Sequence, residues 1–86
     1  MANHPSAKKR YRQSLNRRAR NRHWRSTVRH AVRRVRQGAA EAAPDLAERF
    51  QRAEKLLRKA SSKGVFHQRT VSRTVSRLSR LVGRAG

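Results

Sequence analysis

Residues 7–36 read AKKRYRQSLNRRARNRHWRSTVRHAVRRVR, a stretch with no glycine and no proline. Arginine, lysine, alanine, glutamine and leucine all favour helix, so this stretch predicts one long helix over about residues 7–37 or slightly beyond. Apolar side chains recur at helical spacing only in its second half. The first half, with Tyr11, Leu15 and Ala19 on the opposite side, is therefore predicted to extend beyond any core.

Two shorter helices are predicted downstream of a break marked by Gly38 and Pro44. The second covers about residues 45–62, with Asp45 and Glu48 spaced as a variant of the capping box. Glu48 and Arg52, one turn apart, are expected to form an ion pair. Gly64 stands where a left-handed residue would end the second helix, and the third helix covers about residues 68–83.

Each predicted helix carries an apolar stripe, and three such stripes can bury one another in an up-down-up bundle. The sequence thus predicts an all-α fold, a single domain over residues 1–86 with a flexible start at residues 1–6. Phe66 is expected to close one end of the bundle. The stripes are Trp24, Val28, Ala31, Val32 and Val35; Leu46, Phe50, Ala53, Leu57 and Ala60; and Val71, Val75, Leu78 and Val82.

The charge of the chain is large and one-sided. Among 86 residues there are 24 Lys and Arg against 4 Asp and Glu, a net charge of +20, and residues 1–40 contain no acid. Such a segment repels itself, and its natural counter-charge is the phosphate backbone of a nucleic acid. With only 35% hydrophobic residues, part of the chain is expected to become ordered only when a polyanion neutralises it.

Arginines recur at steps of three and four on the first and third predicted helices, roughly opposite the apolar stripes. Like charges one turn apart destabilise a helix, and a solvated face normally mixes signs, so these rows are interpreted as phosphate-binding surfaces. Tyr11 is a candidate for stacking on a base, whereas Trp24 is interpreted chiefly as a core residue. The rows are Arg18, Arg22, Arg25, Arg29, Arg33 and Arg36, and Arg69, Arg73, Arg77, Arg80 and Arg84.

Several functional classes find no support in the residues. There is no cysteine, and the four histidines do not form a metal-binding pattern. No nucleophile–base pair or glycine-rich phosphate loop is present, so no catalytic residue, metal or cofactor is predicted, and no small-molecule substrate. No apolar run is long enough to span a membrane. A soluble, intracellular protein without enzymatic activity is expected.

Four alternatives stay open on the residues alone. The arginine-rich start resembles a mitochondrial transit peptide in composition. The repeated Val-Ser-Arg at 71–73 and 75–77 could belong to a disordered Arg-Ser tract. A nucleoid protein that coats duplex DNA would need the same charge. A cationic membrane-active helix would too, although the first half of helix one lacks a broad apolar face.

Two motifs carry a family resemblance. Residues 6–10 read SAKKR, followed by Arg12-Gln13-Ser14 and by Arg17-Arg18, and residues 63–67 read KGVFH. Together they resemble the opening, and the turn between the second and third helices, of the bacterial small-subunit ribosomal protein S20 family. The resemblance extends over nearly the whole chain. This chain departs from the family pattern at Pro5 and at residues 68–71.

The resemblance implies a three-helix bundle bound to small-subunit ribosomal RNA, at the five-prime domain and the long penultimate stem, with other ribosomal components nearby. It places the protein in the small ribosomal subunit of the cytoplasm. The contacts it implies are Ser6, Lys8, Lys9, Arg10, Arg17, Arg18, Lys63, His67, Arg73 and Arg77. Arg12 and Ser14 of the N-terminal motif and the remaining arginines of the two rows, through Arg80, complete the candidate RNA-binding set.

Overall fold

A computed structural model describes residues 5–85, which form three helices and no strand. Each helix packs against both others. The predicted all-α fold with a long first helix is thus confirmed. The helices are α1 (Pro5–Glu41), α2 (Leu46–Ser62) and α3 (Gln68–Ala85).

The first helix begins earlier than the sequence suggested. Pro5 and Ser6 were expected in a flexible start, yet α1 already includes them. Proline suits a first helical turn because its missing N–H would lack a partner there and its fixed φ is helical. The rest of the predicted flexible start, residues 1–4, lies outside the described residues.

The molecule is elongated because α1 is much longer than the bundle. Its 37 residues span about 55 Å at ~1.5 Å per residue, and the longest dimension of the molecule is 59 Å. The radius of gyration is 17.3 Å, against about 12 Å for a globular domain of this length. Tyr11 is 66% exposed and Leu15 44%, so the first half of α1 extends beyond the core, as predicted.

The core contains the three apolar stripes, with alanines where helices approach closely. Trp24, Val32, Phe50, Val75 and Val82 are half-buried and pack against its edge. Val65, which belongs to no helix, was not expected in it. The buried core residues are Val28, Ala31, Val35, Leu46, Ala53, Leu57, Ala60, Val65, Val71 and Leu78.

The end of α1 lies at Glu41, between Gly38 and Pro44. The helix continues through Gly38, where the missing side chain leaves room for α2: a Cβ at this position would lie 3.1 Å from Leu46 Cδ1. Ala42, directly after the helix, adopts a left-handed φ of 51°. The Ala43 N–H then donates to the carbonyl of Gly38 at 2.8 Å, which closes a Schellman motif with alanine in the place usually taken by glycine.

The end of α2 follows the prediction. Gly64 has a left-handed φ of 78°, its N–H donates to Ser61 O at 2.9 Å, and the Val65 N–H donates to Ala60 O at 3.0 Å. This is a second Schellman motif, and the residue after its left-handed position commonly makes an apolar contact with the helix it ends. The turn therefore carries Val65 into the core.

The start of α2 differs from the predicted capping box. The Asp45 side chain accepts no hydrogen bond from the helix N-terminus, because its backbone is near-helical rather than extended as a capping side chain requires. Its Oδ1 lies 3.0 Å from Arg49 Nε instead. The expected Glu48–Arg52 pair is also absent: within residues 5–85 the ion pairs are Asp45–Arg49 and Glu54–Arg58.

Candidate nucleic-acid interface

A groove of about 370 Å³ runs between α1 and α3. Arginines of α1 form one wall, threonines of α3 form the other, and apolar side chains lie between them. No acidic residue lines it, so its charge is entirely positive. The lining residues are Arg25, Arg29, Arg33 and Arg36; Thr70 and Thr74; and Val28, Val32, Leu57 and Phe66.

This groove corrects the predicted position of the α1 arginine row. The row was expected opposite the apolar stripe, but Arg29 and Arg33 share a groove with Val28 and Val32. The apolar surface of α1 is wide because two helices pack on it: Ala31 lines the groove toward α2, and Val32 the groove toward α3. The row therefore lies along the edge of the bundle, beside α3.

The basic surface continues along α1 beyond the bundle. Arg18, Arg22, Arg25 and Arg29 line a second concave stretch together with Asn21 and Ser26. Every arginine of the α1 row is exposed. The row therefore forms one uninterrupted surface that begins on the extension and ends at the groove.

The third helix carries a separate basic surface. Its five arginines are exposed, and none of them lines the groove between α1 and α3. Neither row forms an ion pair with a carboxylate within residues 5–85. Of the predicted candidates, the structure thus brings Arg25, Arg29, Arg33 and Arg36 together in one groove and leaves Arg69, Arg73, Arg77, Arg80 and Arg84 on another face.

The N-terminal motif is basic on all sides of α1. Lys8, Lys9 and Arg10 are consecutive and exposed, and at ~100° per residue they point in three directions. Arg12 and Arg17 are exposed as well. This part of the helix can therefore meet phosphates on several sides at once. Of the serines in the candidate set, Ser6 is exposed and Ser14 half-buried.

Acidic side chains lie on the opposite flank. The groove between α1 and α2 is lined by Asp45 and Glu48, together with Arg34, Arg52 and Lys55. Charges of both signs face each other there, as on an ordinary solvated surface. The bundle thus separates a mixed α1–α2 side from a purely basic α1–α3 side.

Trp24 joins α1 to the end of α2. It packs against the core, in agreement with its interpretation as mainly a core residue. Lys59 Nζ lies 5.8 Å from the centre of the Trp24 ring and Lys63 Nζ lies 5.9 Å from it. These are cation–π contacts, so Lys63, a candidate for RNA contact, also helps to hold the turn after α2 on α1.

His67 has a structural role that the sequence did not reveal. Its Nδ1 accepts a hydrogen bond from the Arg69 N–H at 3.1 Å, which satisfies one of the unpaired donors at the start of α3. A polar residue directly before a predicted helix is the signal that could have indicated this role. Nε2 is left as the ring nitrogen available to an external ligand.

Two other kinds of site find no support within residues 5–85. No group of three or more His, Asp or Glu side chains is placed to hold a metal ion there. Nor does that part of the chain contain a helix with the length and apolar character to cross a membrane.

Comparison with known proteins confirms the family resemblance seen in the sequence. A family model described as ribosomal protein S20 matches residues 2–83. The chain is 48% identical to the small ribosomal subunit protein bS20 of Syntrophotalea carbinolica and 47% identical to that of Geotalea uraniireducens, over the full length of both chains in each case. The bS20 protein of Desulforapulum autotrophicum is 42% identical over 96% of this chain and its own whole length. A match of this extent shows that the chain belongs to the ribosomal protein S20 family, a family of structural ribosomal proteins and not of enzymes.

Proposed function

We propose that this chain binds small-subunit ribosomal RNA directly and stabilises its fold during assembly of the small ribosomal subunit. The relatives are named as small ribosomal subunit proteins, which supports placing this chain in the same particle in the cytoplasm. The observation that carries the proposal is the segregation of charge. The α1–α3 side has exposed arginines and no lining acid, whereas Asp45 and Glu48 line the groove between α1 and α2.

The proposed mechanism is electrostatic positioning. RNA segments repel each other through their phosphates, and a helix that is basic on all sides can lie between them and neutralise several at once. The extension of α1 has this character, with Lys8, Lys9 and Arg10 pointing in different directions. The arginines of α3 would bind a further segment. The core fixes the angle between the two basic helices, so RNA shape is recognised more than base sequence.

Arginine suits this role because its planar guanidinium can donate two parallel hydrogen bonds to one phosphate. The arginine rows repeat at every turn from Arg18 to Arg36 and from Arg69 to Arg84 without an interleaved acid. Repulsion along each row costs a few tenths of a kcal/mol per pair in the free protein. Bound phosphates would remove that cost, so RNA binding and helix stability should increase together.

Footprinting of small-subunit ribosomal RNA by the full chain, with duplex DNA as a competitor, tests the proposal. Discrete protected segments that survive excess DNA are expected, and the five-prime domain and penultimate stem are the regions to inspect first. Diffuse protection that DNA competes away equally would favour the rival function, a nucleoid protein that coats duplex DNA.

A salt titration of RNA binding tests which side of the bundle contacts the RNA. The variant Arg29→Gln should lower the slope of log K against log salt by about 0.7–0.9, the value for one neutralised phosphate. Arg52→Gln is the matched control, because Arg52 is equally exposed but lines the α1–α2 groove with Asp45 and Glu48. Equal slopes for the two variants would contradict the proposed side of contact.

A further inference from the structure

The groove between α1 and α3 has a composition that phosphate binding alone does not explain. Four arginines stand on one wall, but the surface between the walls is apolar and includes the ring of Phe66 and the side chain of Val32. Both are only half-buried, so part of this surface faces the groove. A surface that only contacted phosphates would have no use for an aromatic ring at its base.

We infer that this groove holds one unstacked RNA nucleotide, with its base against Phe66 and Val32 and its flanking phosphates on the α1 arginines. The inference rests on the proposed function and names the RNA feature that this part of the protein recognises. Single-stranded loops and bulges present bases that can leave the stack and pack on aromatic side chains or guanidinium planes.

The opposite wall offers groups for the edge of a base. The Thr74 hydroxyl donates to the Thr70 carbonyl at 2.9 Å, so its oxygen remains able to accept a hydrogen bond from a base amino group. The Thr70 side chain is exposed at the same wall. Donors to base carbonyls and ring nitrogens come from the arginines across the groove. A flat base with two apolar faces and a polar edge matches this arrangement.

Other occupants fit the groove less well. A fully paired duplex presents phosphates to the arginines but leaves the apolar surface uncovered. A second copy of the chain would bring another net charge of +20 against a wall lined by Arg25, Arg29, Arg33 and Arg36, which no acid of the groove balances. Charge complementarity therefore favours RNA.

The test compares two short RNA duplexes of equal length, one fully paired and one with a single unpaired 2-aminopurine. Both carry the same phosphates along their paired regions, so the ratio of affinities reports the bulged nucleotide, and the fluorescence of its base reports whether the base itself is held. The full chain should bind the bulged duplex about fivefold tighter or more, the factor that one stacked base contributes. Fluorescence of the 2-aminopurine should change on binding in the bulge and not at a paired position.

Two variants locate the effect. Thr70→Phe places a bulky ring at the groove wall without changing the charge. The ring should fill the space proposed for the base and so bring the ratio of affinities close to one. Ser72→Phe is the matched control: Ser72 is equally exposed on α3, lies outside the groove lining, and should keep the wild-type ratio. Circular dichroism checks that both remain helical.

Equal affinity of the wild-type chain for the two duplexes, or an unchanged ratio in Thr70→Phe, would overturn the inference. The comparison of the two duplexes with the wild-type chain tests the inference even if a variant does not fold. If the chain binds both duplexes equally and still protects discrete segments of ribosomal RNA, the groove inference fails and the proposed function survives. If it protects no discrete segment, the proposed function fails.

Discussion

Arg49 is bonded to Arg34, fifteen residues earlier in the chain: Nη1 of Arg49 donates a hydrogen bond to the Arg34 carbonyl at 3.1 Å. The Arg49 side chain is only 20% exposed, and its Nε lies 3.0 Å from Asp45 Oδ1. That N–H is not aimed at the carboxylate well enough for a hydrogen bond, so this second contact is an ion pair. Arg49 thus ties the first turn of α2 to α1 and is a structural arginine.

Removal of this tie should destabilise the bundle. Arg49→Met keeps an unbranched side chain but loses the bond to Arg34 O, and a hydrogen bond from a charged donor contributes about 1.5–3 kcal/mol. Urea unfolding should show a loss of that order. Arg58→Met is the control, because Arg58 is 60% exposed in its pair with Glu54 and should cost at most about 1 kcal/mol. Equal losses would show that Arg49 is an ordinary surface residue.

Ala42 and Gly64 both have a left-handed backbone, so replacing alanine by glycine at one and glycine by alanine at the other should change stability in opposite directions. Ala42 has a φ of 51° and Gly64 a φ of 78°, a region that costs an L-residue about 1–2 kcal/mol. Ala42→Gly should therefore stabilise the protein by about 1 kcal/mol, and Gly64→Ala should destabilise it by about as much. Thermal unfolding of both variants measures this. A loss of stability in Ala42→Gly would contradict the assigned turn.

His67 allows capping to be separated from RNA contact. His67→Ala removes the acceptor for the Arg69 N–H and should cost about 1 kcal/mol, as for the loss of a helix cap. His67→Asn supplies another acceptor and should restore most of that stability. If the ring also contacts RNA, His67→Asn should be stable yet bind ribosomal RNA more weakly. Equal stability of the two variants would exclude the capping role.

The Asp45–Arg49 pair predicts a pH dependence. The Arg49 guanidinium lowers the pKa of Asp45 below its ordinary value of 3.8. A lowered folded-state pKa stabilises the fold above the unfolded value, and this stabilisation is lost as pH falls through the folded value. Asp45→Asn should thus be less stable than wild type near neutrality, and the difference should shrink as pH falls below 3.8 and disappear once the Asp45 carboxyl is protonated in the folded protein.

Glu48→Gln is the control for the pH series. It removes one carboxylate from the same part of α2, and within residues 5–85 Glu48 belongs to no ion pair. Its melting temperature should stay close to that of wild type across the series. A difference in melting temperature between wild type and Asp45→Asn that persists at low pH would show that the pair has another role.

The free protein should be only partly helical, and the missing helix should lie in the first half of α1. That half lacks core contacts, and a basic helix without packing is marginal in water. Amide exchange should be fast at residues 8–20 and slow at residues 28–36. Addition of small-subunit ribosomal RNA should slow exchange in the first segment and raise the helical circular dichroism. An unchanged spectrum would contradict the coupling of binding and folding.

Much of the fold was predictable because each helix carries apolar residues at helical spacing. Val28, Leu57 and Leu78 lie in the core where the stripes predicted them. The differences concern positions where tertiary contact adds to or overrides local preference. Gly38 marked the weak end of α1 in the sequence, but the structure gives it a further role, since α2 packs closely against it. Asp45 resembled a cap, but Arg49 lies beside it.

For the candidate interface, the sequence identified the residue types but not their arrangement. The arginine rows follow from spacing along one helix, and spacing cannot show which neighbour lies beside a row. Phe66 and Thr74 are remote from Arg29 in sequence, and only helix packing brings them into one groove. His67, which accepts a bond from the Arg69 N–H, stands directly before the predicted third helix, and that position was the one local signal of its role.

The sequence by itself determined the three helices, the apolar stripe of each and the excess of positive charge, because these depend on interactions within a few residues. Tertiary structure alone decided where the charges of opposite sign lie. Since α2 packs on one flank of α1 and α3 on the other, Asp45 and Glu48 line the groove on one side and the purely basic groove lies on the other. The physical reason is that a helix fixes the direction of its own side chains, whereas the identity of their neighbours depends on which helix is packed beside them.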